Sequence, residues 1–135
     1  MSDGITRRRE QRERVLGLLY ESAQKNVNIN EILSEQPVMP DEFVVELTTG
    51  VAAVTGELDV MIEKFLKGWT LERMPILDHL VLRIGIYELT SKPELSVAVI
   101  ISEAVELAKS YSTEESGKYV NGVLSAVADE VRPAA

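Results

Sequence analysis

Cysteine is absent from this chain, which excludes disulfides, thiolate nucleophiles and cysteine-held metals. Histidine occurs once, at His79, so a histidine-based metal cluster is excluded and no metal or cofactor is expected. Long apolar runs are missing too. The longest, from Val97 to Ile101, is far shorter than the roughly 20 residues that a membrane-spanning helix needs. The N-terminus is polar and basic with no apolar stretch behind it, so no secretory signal is expected and a cytoplasmic location follows. Positive charge is in deficit, with 14 lysines and arginines against 22 aspartates and glutamates. Most of such a surface repels phosphate, which argues against indiscriminate nucleic-acid binding.

The scarce positive charge is concentrated at one end. Through residue 14 there are five basic residues (Arg7, Arg8, Arg9, Arg12 and Arg14) against three acidic ones, a net of +2. The remainder holds nine basic and nineteen acidic residues, a net of −10. An acidic protein that gathers its arginines on one segment is built to meet a polyanion there. Helical spacing puts Val15, Leu18, Leu19 and Ser22 on a flank facing the core. Arg9, Arg12, Leu16 and Tyr20 form a second stripe towards solvent, combining guanidinium groups with an aromatic ring. Arg8 and Gln11 fall near the core flank, so the first turns are expected to overhang the core or fray.

The rest of the chain reads as helices with no convincing strand. Thr6 is a candidate N-cap for a first helix to about Gln24, and Asn30 for a short one over 31–36. After Pro37 and Pro40, apolar spacing predicts one helix from Asp41 to about Leu66. Pro75 opens a helix to Leu89 that is apolar nearly all round and must be buried. Ser96 caps an amphipathic helix to Tyr111, and Thr113 to Ser116 open the last one, which Arg132-Pro133 stops. The expected architecture is all-α, a single domain over 1–135 of about seven helices in two small bundles. The N-terminal three-helix bundle spans 6–67 and the C-terminal one 70–132, joined through Gly68-Trp69.

No catalytic constellation is visible. His79 lacks partners in the sequence and reads as a partly buried polar residue. Ser116-Gly117-Lys118 lacks the upstream glycine of a phosphate loop. Glu103 and Glu106 lie one turn apart on an amphipathic helix, where carboxylates are usually solvated. Arg83 and Glu88 sit within the most apolar helix, so each needs a partner; pairing of Arg83 with Glu88 or Glu103 is expected. Lys118, Asn121 and Ser125 share the polar side of the last helix, with Tyr119 at its edge. Such a platform suits RNA bases.

Four stretches together resemble the NusB family of bacterial transcription antitermination factors along nearly the whole chain. They are RRREQRERVLGLLY (Arg7 to Tyr20), LVLRIGIYEL (Leu80 to Leu89), SEAVELAKSY (Ser102 to Tyr111) and KYVNGVL (Lys118 to Leu124). The resemblance implies a non-enzymatic role: binding the boxA element of nascent ribosomal RNA together with NusE, a small-subunit ribosomal protein, and joining RNA polymerase in an antitermination complex. Carried over by motif, the RNA-binding residues are Arg7, Arg8, Arg9, Arg12 and Tyr20, with Asp78, Glu115, Lys118 and Tyr119. Asp78 and Glu115 would accept hydrogen bonds from base amino groups. The rival is a protein-binding adaptor or homodimer docked through the arginine helix, with Leu16 as the exposed apolar residue that a second copy covers.

Overall fold

The computed structural model describes residues 2–133; positions 1, 134 and 135 of the expected domain lie outside the described residues. Seven α-helices and no strand are present among them. They are α1 (Ser2–Lys25), α2 (Ile29–Ser34), α3 (Glu42–Ala53), α4 (Thr55–Lys64), α5 (Ile76–Ser91), α6 (Val97–Tyr111) and α7 (Glu114–Val131). One turn of 3-10 helix, Leu71–Arg73, precedes α5.

Local chemistry sets several of the helix ends. The Ser96 side chain accepts the Val99 amide at 3.1 Å, and Thr113 Oγ1 accepts the Ser116 amide at 2.9 Å. Both satisfy amides that the first turn of a helix leaves without partners. At the end of α1, Asn26 takes the left-handed conformation (φ 54°). The Val27 amide then reaches the Ser22 carbonyl and the Asn26 amide the Ala23 carbonyl, a Schellman closure.

Three boundaries differ from expectation. Thr6 does not cap α1, which already begins at Ser2; no proline, and among the described residues no left-handed one, precedes Thr6 to stop the helix there. Asn28, not Asn30, caps α2, its side chain accepting the Asn30 amide at 2.8 Å. The single helix expected from Asp41 to Leu66 is two, broken at Val54 (φ −123°, ψ 24°). Two β-branched residues, Val54 and Thr55, followed by Gly56, make this the weakest helical stretch of the segment.

Backbone contacts gather the helices into two units, Met1–Ala53 and Val54–Ala135. The boundary therefore falls at the break between α3 and α4 rather than at Gly68-Trp69, because α4 packs on α5. In the first unit α1, α2 and α3 pack pairwise. Val15, Leu18 and Leu19 of α1, Ile32 and Leu33 of α2, and Val44, Leu47 and Val51 of α3 are buried.

In the second unit α5 is the central element, in contact with α4, α6 and α7. Leu80, Val81, Leu82, Ile84, Ile86 and Leu89 are all buried, each worth about 1.5–3 kcal/mol when fully withdrawn from water. Gly85 allows α7 to approach: a Cβ there would sit 2.7 Å from Leu124 Cδ1. Arg132, just past α7, donates through Nε to the Leu89 carbonyl at 2.9 Å and through a terminal nitrogen to the Lys92 carbonyl at 2.6 Å. A cation on the carbonyl end of α5 satisfies both the hydrogen bonds and the helix dipole.

Candidate nucleic-acid interface

The leading turns of α1 carry the arginines, and α3 decides how they are held. Arg8 donates to the Gln11 side chain at 3.0 Å, and its guanidinium lies 3.9 Å from the centre of the Phe43 ring. Gln11 donates in turn to Asp41 Oδ2 at 2.9 Å, and Arg7 approaches the same oxygen at 3.9 Å. Arg14 donates to the Gln36 side chain at 2.7 Å. Gln11 is buried yet satisfied by a residue thirty positions on, so α1 neither frays nor overhangs at that point. Arg7, Arg8 and Arg9 are exposed along the helix, and a cleft of about 330 Å³ separates this end from the exposed Val38 and Met39.

The second stripe of α1 is not the solvent face that its spacing suggested. Arg12 and Leu16 are each only 2% exposed, while Tyr20 keeps 39%. The buried arc of α1 includes Val15, Leu16, Leu18 and Leu19, wider than a single flank. Arg12 points its guanidinium towards Phe43, 5.6 Å from the ring centre. Arginine tolerates such burial because its long stem packs as an apolar group and its planar head stacks on aromatics. Leu16 therefore offers no apolar surface for a second copy to cover.

The remaining sequence-derived residues belong to the second unit. Asp78, in the first turn of α5, is fully buried; its Oδ2 accepts the Ser116 hydroxyl at 2.7 Å, tying the start of α7 to the start of α5. Ser116 also lies 3.0 Å from the hydroxyls of Thr113 and Ser112. Glu115 and Lys118 are exposed and face each other one turn apart at 3.6 Å. Tyr119 is half-buried, and its ring centre lies 4.4 Å from that of Trp69 at an interplanar angle of 47°. Burial raises the Tyr119 phenol above its ordinary value. The Lys67 backbone amide opposes the rise without reaching hydrogen-bonding geometry, and the Asp78 charge adds to it. Trp69 was absent from the sequence-derived set. Its position in the short Gly68-Trp69 connection gave no periodic signal.

In the second unit Arg83, His79 and Asp59 are engaged with one another. Arg83, for which Glu88 or Glu103 was the expected partner, grips Asp59 on α4 with two hydrogen bonds, 2.9 Å from Nε and 2.8 Å from a terminal nitrogen. His79 Nε2 lies 2.7 Å from the same carboxylate. Burial would raise the Asp59 pKa, but the bonds and charges from Arg83 and His79 outweigh it and hold the carboxyl below its ordinary range. No group of three or more metal-ligating side chains occurs among the described residues.

An all-helical chain in two units, with a basic helix end and a partly exposed aromatic pair, has the build of a helical binding protein. The chain belongs to the NusB family, whose model matches residues 9–129. A transcription antitermination protein NusB from Acidothermus cellulolyticus is 44% identical over 124 residues, covering 89% of this chain and 86% of that one. Its counterpart from Beutenbergia cavernae is 40% identical over 131 residues, covering 87% and 86%. Among solved structures, T. maritima NusB matches with a TM-score of 0.83 at 33% identity over 93% of each chain. A structure of antitermination factors NusB and NusE in complex with dsRNA matches with a TM-score of 0.78 at 27% identity, over 91% of this chain and 96% of that one. These relatives are named as antitermination proteins and not as enzymes. No helix among the described residues is long and apolar enough to cross a membrane.

Proposed function

We propose that this chain is a cytoplasmic transcription antitermination factor. It binds the boxA element of nascent ribosomal RNA together with NusE and joins RNA polymerase in the antitermination complex. The observation that carries the proposal is the leading end of α1, where Arg7, Arg8 and Arg9 stand exposed on an otherwise acidic chain. The names of the relatives and the neighbouring NusB–NusE–RNA complex support it.

In this mechanism Arg7, Arg8 and Arg9 contact phosphates, and Tyr20, Lys118, Glu115 and Tyr119 contribute around the bases and backbone. Asp78 and Arg12 act from inside the protein. Asp78 fixes the first turn of α7 through Ser116, and Arg12 supports the arginine end beside Phe43. Because the chain is net acidic, binding is weak alone and tightens when NusE adds contacts.

Fluorescence anisotropy of labelled boxA RNA, with and without NusE, tests this directly. Three exposed arginines and the exposed Lys118 predict that log affinity falls with log salt at a slope of about 3. Arg9→Glu should weaken binding by about tenfold or more without unfolding the protein. A salt-independent affinity, or one that NusE leaves unchanged, would sink the mechanism. With Leu16 buried, the adaptor or homodimer alternative loses the exposed apolar residue on which it stood.

A further inference from the structure

Trp69 is the only tryptophan of the chain and lies outside any helix, directly after Gly68. Gly68 has φ +84°, a conformation that residues with a Cβ rarely adopt, so the turn presenting the indole depends on glycine at this place. Trp69 keeps 36% of its surface exposed while its ring centre lies 4.4 Å from that of Tyr119. Tyr119 is the inner member of the pair. Its hydroxyl is buried, and it follows by one helical turn the Ser116 that Asp78 holds. An indole covering one side of Tyr119 is the outer aromatic surface here. Large aromatics left partly exposed against a second ring provide a rigid π surface at low conformational cost, the property that holds an unpaired nucleobase. The exposed Lys118 and Glu115, close to Tyr119 in the chain, supply a phosphate donor and a carboxylate acceptor for a base amino group.

We infer that Trp69, backed by Tyr119, is the residue on which an unpaired RNA base stacks, and that Tyr119 acts chiefly by positioning the indole. The inference rests on the RNA-binding reading above and names its base-contacting residue. The single tryptophan makes it testable without a substitution. Tryptophan emission and the anisotropy of a labelled single-stranded boxA RNA are followed in one titration at low salt. Emission should be quenched in step with the anisotropy rise. Trp69→Leu should bind that RNA about five- to one-hundred-fold more weakly, and Trp69→Phe within about threefold of wild type. An abasic strand of equal length should be bound equally by wild type and Trp69→Leu. A merely structural role for Trp69 would weaken both strands alike, and that result overturns the inference. So does an anisotropy rise with unchanged emission, which would leave RNA binding itself intact. Should Trp69→Leu fail to fold by circular dichroism, the wild-type emission decides alone. Absence of any anisotropy change at low salt rejects the RNA reading and the stacking role together.

Discussion

The leading end of α1 and the α4–α5 contact both set arginine against aspartate, with opposite results. Arg7 approaches Asp41 at 3.9 Å with the two side chains 74% and 56% exposed. Arg83 holds Asp59 through two short bonds with the side chains only 18% and 23% exposed. In water an ion pair is screened and its net worth is about 0–1 kcal/mol, so Arg7 can exchange a carboxylate for a phosphate at little cost. Out of water the pair is stiff, and removing one partner strands a charge. One charge pairing thus serves as an available binding surface in the first unit and as a fastener in the second. Solvent access makes the difference.

The largest effect expected from testing this contrast is at Arg12, which shares α1 with the exposed arginines but not their solvent. Arg12→Glu buries a carboxylate near the electron-rich face of Phe43 and should destabilise by about 3 kcal/mol in urea denaturation. Arg9→Glu, at an exposed position, should shift the urea midpoint much less. Equal stability of the two variants would show that burial along α1 does not divide the arginines by role.

Next comes Asp59→Ala, which leaves Arg83 and His79 without their shared acceptor. Because the site is partly wet, about 2 kcal/mol is expected. The pH dependence gives a second measure of the same contact. The folded carboxyl titrates below its unfolded value, so its stabilisation is complete above the ordinary aspartate range, near about pH 4. That contribution is lost as the pH falls through the depressed folded value. Unfolding of Asp59→Asn should therefore lack this part of the acid limb; an acid profile identical to wild type would remove Asp59 as its source.

The smallest effect belongs to Asp41→Ala. Exposed itself but accepting from the buried Gln11 as well as facing Arg7, this carboxylate should contribute about 1 kcal/mol to stability, chiefly through Gln11. Its removal takes a competing anion away from Arg7, so RNA affinity at low salt should rise about twofold. A fall in RNA affinity would mean instead that Asp41 orders the arginine end for binding.

Much of the fold could be read from spacing and caps. The all-round apolar pattern of α5 and the Ser96 cap each follow from residues within one helix or its first turn. The break at Val54 was harder to see. Each of its residues is merely a poor helix former, and apolar periodicity runs on through the break. Among the site residues, the exposure of Arg9 was legible from its place on the second stripe, whereas Arg8, near the core flank by spacing, is exposed and stacks on Phe43. Arg12 and Leu16 were misplaced because the helical wheel indicates direction but not what lies beyond it. The engagement of Arg83 by Asp59, 24 residues away, has no local trace at all.

By itself the amino-acid sequence determined most of the helices, several of their ends and the segregation of positive charge onto the first of them. Those properties depend on neighbours within a turn or two of the chain. Only the tertiary structure decided which charges keep water, that Asp78 lies wholly inside holding Ser116, and that Trp69 rather than Tyr119 is the outer ring. Hydration and ring contact are set by atoms brought close from distant parts of the chain, and periodicity along one helix does not encode them.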